Sequence, residues 1–230
     1  MKNRFLLPVL GLLFTLAFPI FSGAEPSDPF AKWEKEISQL EHVDQVQGIT
    51  KNAILFTGSS TIKRWKTLAQ DLPGRLVLNR GFGGSQICDA THFAERIIFP
   101  HAPQMIVLRA GGNDLHAGKS PAQVFEDFKA FVAIIQTKLP ATEVVYLAAC
   151  PSIARITETQ AGEQLNELIR DYAKSVPRVK YLDASKISLG ADGLPQGNLF
   201  VEDKLHLNAE GYKRLAEKVR AFLDKELPLQ

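Results

Sequence analysis

From residue 28 onward, short runs that are almost wholly apolar alternate with longer stretches whose apolar residues recur at helical spacing. The short runs are AILFT (53–57), RLVLN (75–79), QMIVLRA (104–110), EVVYLAA (143–149) and VKYLD (179–183). A strand that is apolar on both faces needs cover on both, so these runs predict buried strands of a parallel sheet. The longer stretches predict helices over 28–46, 120–139, 157–175 and 207–226, with Ser120 placed to cap the second and Pro121 in its first turn. Strands joined by crossovers of helical length describe an α/β protein with helices on both faces of one sheet.

In such sheets the chemistry gathers beyond the carboxyl ends of the strands. Gly58, Ser59 and Ser60 follow the first run, NRGFGGS (79–85) the second and GGND (111–114) the third. VEDKLHLNAEGY (201–212) precedes the last helix, so its Asp203 and His206 reach the same rim. A serine hydroxyl is a poor nucleophile at neutral pH. It needs a base within hydrogen-bond reach and a third group that fixes the tautomer of that base, and Asp203 and His206, three positions apart, can supply both. Gly84 lets a backbone N–H come close to a developing oxyanion, and the Asn113 amide adds a side-chain donor. Taken singly, each residue has an ordinary explanation: Ser60 as a helix N-cap, Asn113 or Asp114 as a turn cap, the glycines as a tight loop, Asp203 and His206 as a surface pair. Packing alone does not explain why they converge on one edge.

FTGSSTIKRW, NRGFGGS, GGND and DKLHLN stand in the order and context of the four sequence blocks of the SGNH hydrolases, also called GDSL-type esterases and lipases. The chain resembles that family over residues 52–212. The resemblance implies a three-layer α/β/α sandwich with a flavodoxin-like parallel sheet of five strands in the order 2-1-3-4-5. It implies Ser60 as nucleophile, completed by Asp203 and His206 as a triad. It also implies an oxyanion hole made by the backbone N–H groups of Ser60 and Gly84 and the side chain of Asn113. The commonest first block of the family reads Gly-Asp-Ser. Here Ser59 replaces the aspartate, as in a branch with a Gly-Ser-Ser block, and the doubled serine raises a question of register that the block assigns to Ser60.

The 230 residues, 45% of them hydrophobic, suffice for one core, so residues 25–230 are expected to form a single domain. Residues 1–24 stand apart: Lys2 and Arg4 precede an apolar run from Phe5 to Phe21, and Ser22, Gly23 and Ala24 suit a signal peptidase. Pro8, Gly11, Pro19 and the shortness of the run speak against a lasting anchor. The expected location is therefore secreted or periplasmic, with no stable membrane insertion after cleavage. A net charge of +2 with no basic block excludes nucleic acid as the natural partner.

GFGGSQ lacks the third glycine of the dinucleotide fingerprint, no Gly-x-Ser-x-Gly elbow is present, and His42, His92, His101 and His116 lack metal-site spacing. No cofactor or metal is expected. Cys88 and Cys150 could pair in an exported chain, though they lie far apart in sequence. HFAERIIF (92–99) and Trp65 are assigned to packing, and the Gly- and Pro-rich stretch SLGADGLPQGN (188–198) to the border of the pocket.

These observations point to an exported serine esterase acting on a small-molecule or glycan-borne carboxylic ester, lysophospholipase-like or a carbohydrate O-acetylesterase. The alternatives are a catalytically silent carbohydrate-binding or scaffolding module of the same fold, against which the intact Ser60, Asn113, Asp203 and His206 speak, and a nucleotide-binding protein on a flavodoxin-like sheet. Expressed in a bacterium, the protein should accumulate outside the cytoplasm with an N-terminus near Glu25, which terminal sequencing of the extracytoplasmic fraction checks; an intact terminus on membrane-bound protein reverses the expectation.

Overall fold

The computed structural model describes residues 28–229, so the leader expected over 1–24 lies outside the described residues. The five strands are β1 (Ile54–Gly58), β2 (Val77–Gly81), β3 (Met105–Arg109), β4 (Glu143–Leu147) and β5 (Val179–Leu182). They form one parallel sheet in the order β2-β1-β3-β4-β5. The helices between and around them are α1 (Glu34–Gln47), α2 (Ser60–Lys63), α3 (Leu68–Asp71), α4 (Ile87–His92), α5 (Ala94–Ile97), α6 (Gly112–His116), α7 (Pro121–Lys138), α8 (Thr159–Ser175) and α9 (Ala209–Glu226).

Side-chain alternation along the strands sorts the apolar residues into two cores. Leu55, Ile106, Leu108, Val144 and Tyr146 pack against Ile37 of α1, Ile87 of α4, Phe128 and Val132 of α7 and Ile169 of α8. Phe56, Val107, Val145 and Leu147 face the opposite way, onto Ile62, Leu68, Leu215 and Val219 from α2, α3 and α9. Helices therefore cover both faces, which is why the central strands are mostly apolar. From β1 the chain turns one way to β2 and the other way to β3, and this switch opens a crevice at the carboxyl ends of the central strands.

The assignments to packing agree with what the side chains do. Trp65 is buried between Phe56 and Tyr212, with ring centroids 5.8 and 5.9 Å away, and its Nε1–H donates to Asp71 at 2.7 Å. Phe93, Ala94, Ile97 and Ile98 of HFAERIIF are buried. Ser120 caps α7 as expected, its Oγ accepting from the Gln123 N–H at 3.3 Å while Gln123 Oε1 accepts from the Ser120 N–H at 2.8 Å. Both Cys88 and Cys150 are free thiols.

The second strand departs from its sequence pattern. It starts at Val77 and runs on to Gly81, past the apolar segment. Arg80 is only 3% exposed because Asp44 of α1 pairs with its guanidinium and its Nε donates to the buried His101 at 3.2 Å. A charge is tolerated inside the sheet when partners on other elements satisfy it. Upstream, Arg75 is drawn off the strand to the Leu227 carbonyl at 2.6 Å and Asp224 of α9 at 2.7 Å.

Among the described residues no helix is long and apolar enough to cross a membrane, and no group of three or more His, Cys, Asp or Glu is arranged to hold a metal ion.

The end of β1 is the tightest point of the sheet. Gly58 pairs with Gly81 on one side and Arg109 on the other, with a φ of +116°. A Cβ there would sit far inside the van der Waals shell of the Arg109 carbonyl. Gly58→Ala should therefore destabilise the protein by roughly 3 kcal/mol or more, since strain and clash act together at one position. The midpoint of urea unfolding measures this; a loss below about 1 kcal/mol would show that β1 and β3 can part without cost.

Candidate active site

Immediately after β1 the chain turns into the short helix α2, and Ser60 is its first residue. The Ser59 N–H donates to the Arg109 carbonyl at 3.0 Å, extending the β1–β3 ladder by one bond and fixing where Ser60 stands. The Ser60 hydroxyl donates to Nε2 of His206 at 2.9 Å, and Nδ1–H of His206 donates to Asp203 Oδ2 at 2.7 Å. A carboxylate can only accept, so Nδ1 carries the proton, which leaves Nε2 bare and able to take one from serine. Ser59 has no such partner: its side chain makes no hydrogen bond among the described residues.

His206 and Asp203 come as a local unit. Asp203 Oδ1 accepts the backbone N–H groups of Leu205 and His206, each at 2.9 Å, and the loop closes through the Phe200–Leu207 bridge. Asn208 then caps α9, its Oδ1 accepting from Glu210 and Gly211 at 3.0 and 3.1 Å. The His206 backbone N–H, then its imidazole, hold the Asp203 carboxyl well below the usual carboxylate range. The His206 side chain is 17% exposed and that of Asp203 44%.

On the other side of Ser60, two loops supply donors. Gly84 has a φ of +74°, a conformation that favours glycine, and the N–H groups of Ser60 and Gly84 have no acceptor among the described residues. Asn113 stands at the start of α6 and gives one Nδ2–H to the Ser85 carbonyl at 3.0 Å, keeping the second for a ligand. Beside it, the buried Asp114 accepts the Ile87 N–H at 3.1 Å, and burial pushes its carboxyl up. These two bonds fix the spacing of Gly84 and Asn113. Ser60, Gly84, Asn113 and His206 thus line one cavity of about 550 Å³, and Asp203 stands behind His206 through its hydrogen bond to Nδ1.

The model of the GDSL-like lipase/acylhydrolase family matches residues 47–214. The chain belongs to that family. Among curated relatives of this GDSL protein, platelet-activating factor acetylhydrolase IB subunit alpha1 of Homo sapiens is 26% identical over 179 residues, 74% of each chain. A Streptococcus pneumonia protein described as a platelet activating factor superposes with a TM-score of 0.72 at 22% identity, over 83% of this chain and 92% of that one. A catalytic mutant of an acetylxylan esterase from Geobacillus stearothermophilus superposes with a TM-score of 0.60 at 13% identity, over 77% and 95%. Membership in an acylhydrolase family makes ester hydrolysis the chemistry of this GDSL fold.

Two features of the GDSL site escape the sequence. The stretch 188–198 does not line the cavity; it folds into a turn bridged at Leu189–Pro195 and packs below, with the Ser188 hydroxyl on the Pro151 carbonyl at 2.7 Å. In its place the segment after β4 closes the site. Its Arg155 gives Nη1–H to both the Gly112 carbonyl and Asn113 Oδ1, each at 3.1 Å. The Asn113 amide is thereby held in one orientation, oxygen toward the guanidinium and nitrogen toward Ser85 and the cavity. Nothing in the sequence marks Arg155, because its partner lies 42 residues away.

Arg155 is thus placed to act through Asn113, as a positioning residue. With a neutral aryl acetate, Arg155→Ala should lower kcat about tenfold, the scale of one strong hydrogen bond, with KM near the parent value. Arg155→Lys should recover part of the loss. A rise in KM alone would assign Arg155 to substrate binding instead.

Proposed function

We propose that this protein is an exported serine esterase that hydrolyses carboxylic esters through Ser60, His206 and Asp203, without a cofactor. The observation that carries the proposal is the continuous hydrogen-bond chain from Ser60 Oγ through His206 to Asp203, at 2.9 and 2.7 Å. In the first half-reaction Ser60 Oγ attacks the ester carbonyl carbon, its proton passes to His206 Nε2, and the carbonyl π electrons move onto oxygen. The N–H groups of Ser60 and Gly84 and the free Nδ2–H of Asn113 meet that oxyanion. As the carbonyl re-forms, the bond to the alkoxy oxygen breaks, and the leaving group takes the proton from Nε2. Water then attacks the acyl-serine with His206 as base, and the acid departs as the proton returns to Ser60.

Residues 25–230 form the working domain in this reading, freed by cleavage of the leader. The open cavity of about 550 Å³ suits a short acyl group, as do relatives named acetylhydrolase and acetylxylan esterase. The substrate is thus a short-chain acyl ester, small or borne on a glycan.

An organophosphonate probe should label Ser60. Ser60→Ala should abolish labelling and turnover, while Ser59→Ala keeps a substantial part of both; mass spectrometry of the adduct decides, and label on Ser59 would sink the assignment. Asn113→Ala should lower kcat roughly a hundredfold to a thousandfold with KM little changed, because the donor serves the charged oxygen more than the ground state.

The pH profile follows from Asp203. A depressed carboxyl interacts favourably above its ordinary value and loses that interaction only as pH falls through the lowered one. The Asp203 carboxylate therefore keeps its charge below the ordinary carboxylate range, and the acid limb of kcat/KM should not carry the proton of Asp203. A two-proton limb would mean that Asp203 titrates within it.

A further inference from the structure

We infer that the cavity beside Ser60 recognises an anionic substituent, a carboxylate or a phosphate, on its ester substrate, and that Arg109 is the group that holds it. The inference rests on the esterase function proposed above and names its substrate class. Arg109 ends β3 directly opposite Gly58, one residue short of the serine pair. Alternation puts its side chain on the face of Val107, the side of the sheet that Phe200, Leu207 and Tyr212 cover, and it lines the same cavity as Ser60 and His206.

Its guanidinium is poorly satisfied by the protein. Nε is buried with no hydrogen-bond partner, and Nη2 reaches only the weak acceptor Cys150 Sγ at 3.8 Å. A buried donor left unpaired costs stability, so its presence beside a reactive serine calls for a ligand that pairs it. The charge balance of the cavity points the same way. Arg64 and Arg155 also line it, and among the described residues none of the three arginines forms an ion pair. Lys63 is matched by Glu36 at 2.8 Å, and Glu158, the one carboxylate among the described residues of the wall, accepts from Nδ1–H of His116 at 2.6 Å and offsets at most one of the three. Three guanidinium groups without an ion-pair partner, against one carboxylate, focus a positive field into the cleft. Their planar forks match carboxylate and phosphate oxygens, whereas a neutral acyl ester leaves them unused.

The test uses three acetates of one aryl frame, each normalised to its hydroxide-catalysed rate: 4-acetoxybenzamide, 4-acetoxybenzoate and 4-acetoxyphenyl phosphate. At low ionic strength, kcat/KM for an anionic ester should exceed that for the neutral amide by roughly tenfold to a hundredfold, and the excess should shrink with added sodium chloride. Whichever anion is faster names the group held. Arg109→Gln should lower the anion-to-neutral ratio by about tenfold or more. Arg64→Gln, at an exposed position, should lower it by less, and it supplies the same comparison if the Arg109 variant does not fold. Equal normalised rates for all three esters, or a ratio unchanged in the variants, overturns the inference and leaves the esterase standing. No turnover of any of the three esters by the parent protein overturns the esterase itself.

Discussion

At the end of β1 the backbone of Gly58 runs against the carbonyl of Arg109 with no room for a side chain, and the next N–H, from Ser59, closes onto that same carbonyl. Because β1 and β3 cannot part there, the two residues that follow β1 and the four that follow β3 have a fixed separation. Ser60 and Asn113 inherit their positions from this junction. The second strand is set from the other side of the same glycine, through the Gly58–Gly81 pairing, and it carries Gly84. Ser60, Gly84 and Asn113 are thus placed from backbone bonds at the centre of the sheet, where neither end can fray.

His206 and Asp203 are held differently. They belong to a loop that is ordered by its own hydrogen bonds and by the cap of α9 and docks against the rim from outside. The segment after β4 joins the two assemblies. The Ala154 N–H donates to the Lys204 carbonyl at 3.1 Å, next to Asp203, while Arg155 grips Asn113. One short stretch thereby touches both the donor side and the base side of the site, and it couples their alignment without contributing an atom to bond making.

Much of this was legible in the sequence because it depends on short-range rules. Apolar runs flanked by helices of matching length disclosed the sheet, and polar clusters after the first three strands and before the last helix pointed to Ser60, Gly84, Asn113, Asp203 and His206. What stayed hidden depends on partners far along the chain. Arg80 is a strand residue only because Asp44 and His101 neutralise and cover it. Arg155 matters only because its loop folds back on α6. The Gly- and Pro-rich stretch after β5 pointed to the border of the pocket, yet its backbone bonds close on one another and the Ser188 hydroxyl donates to the Pro151 carbonyl, so it does not line the cavity.

The order of these parts along the chain matters to a polypeptide made from its N-terminus. Ser60 and His206 are 146 residues apart, and α9, which carries the base loop into place, is anchored back on the early part of the fold by Arg75 to Asp224 and by Arg220 to the Asp71 carbonyl. A ribosome-bound chain that already holds the sheet's first strands has the serine but no base. Under the proposed mechanism its hydroxyl would have no proton acceptor until the last helix had been synthesised and docked, so reactivity would be the last property of the chain to form.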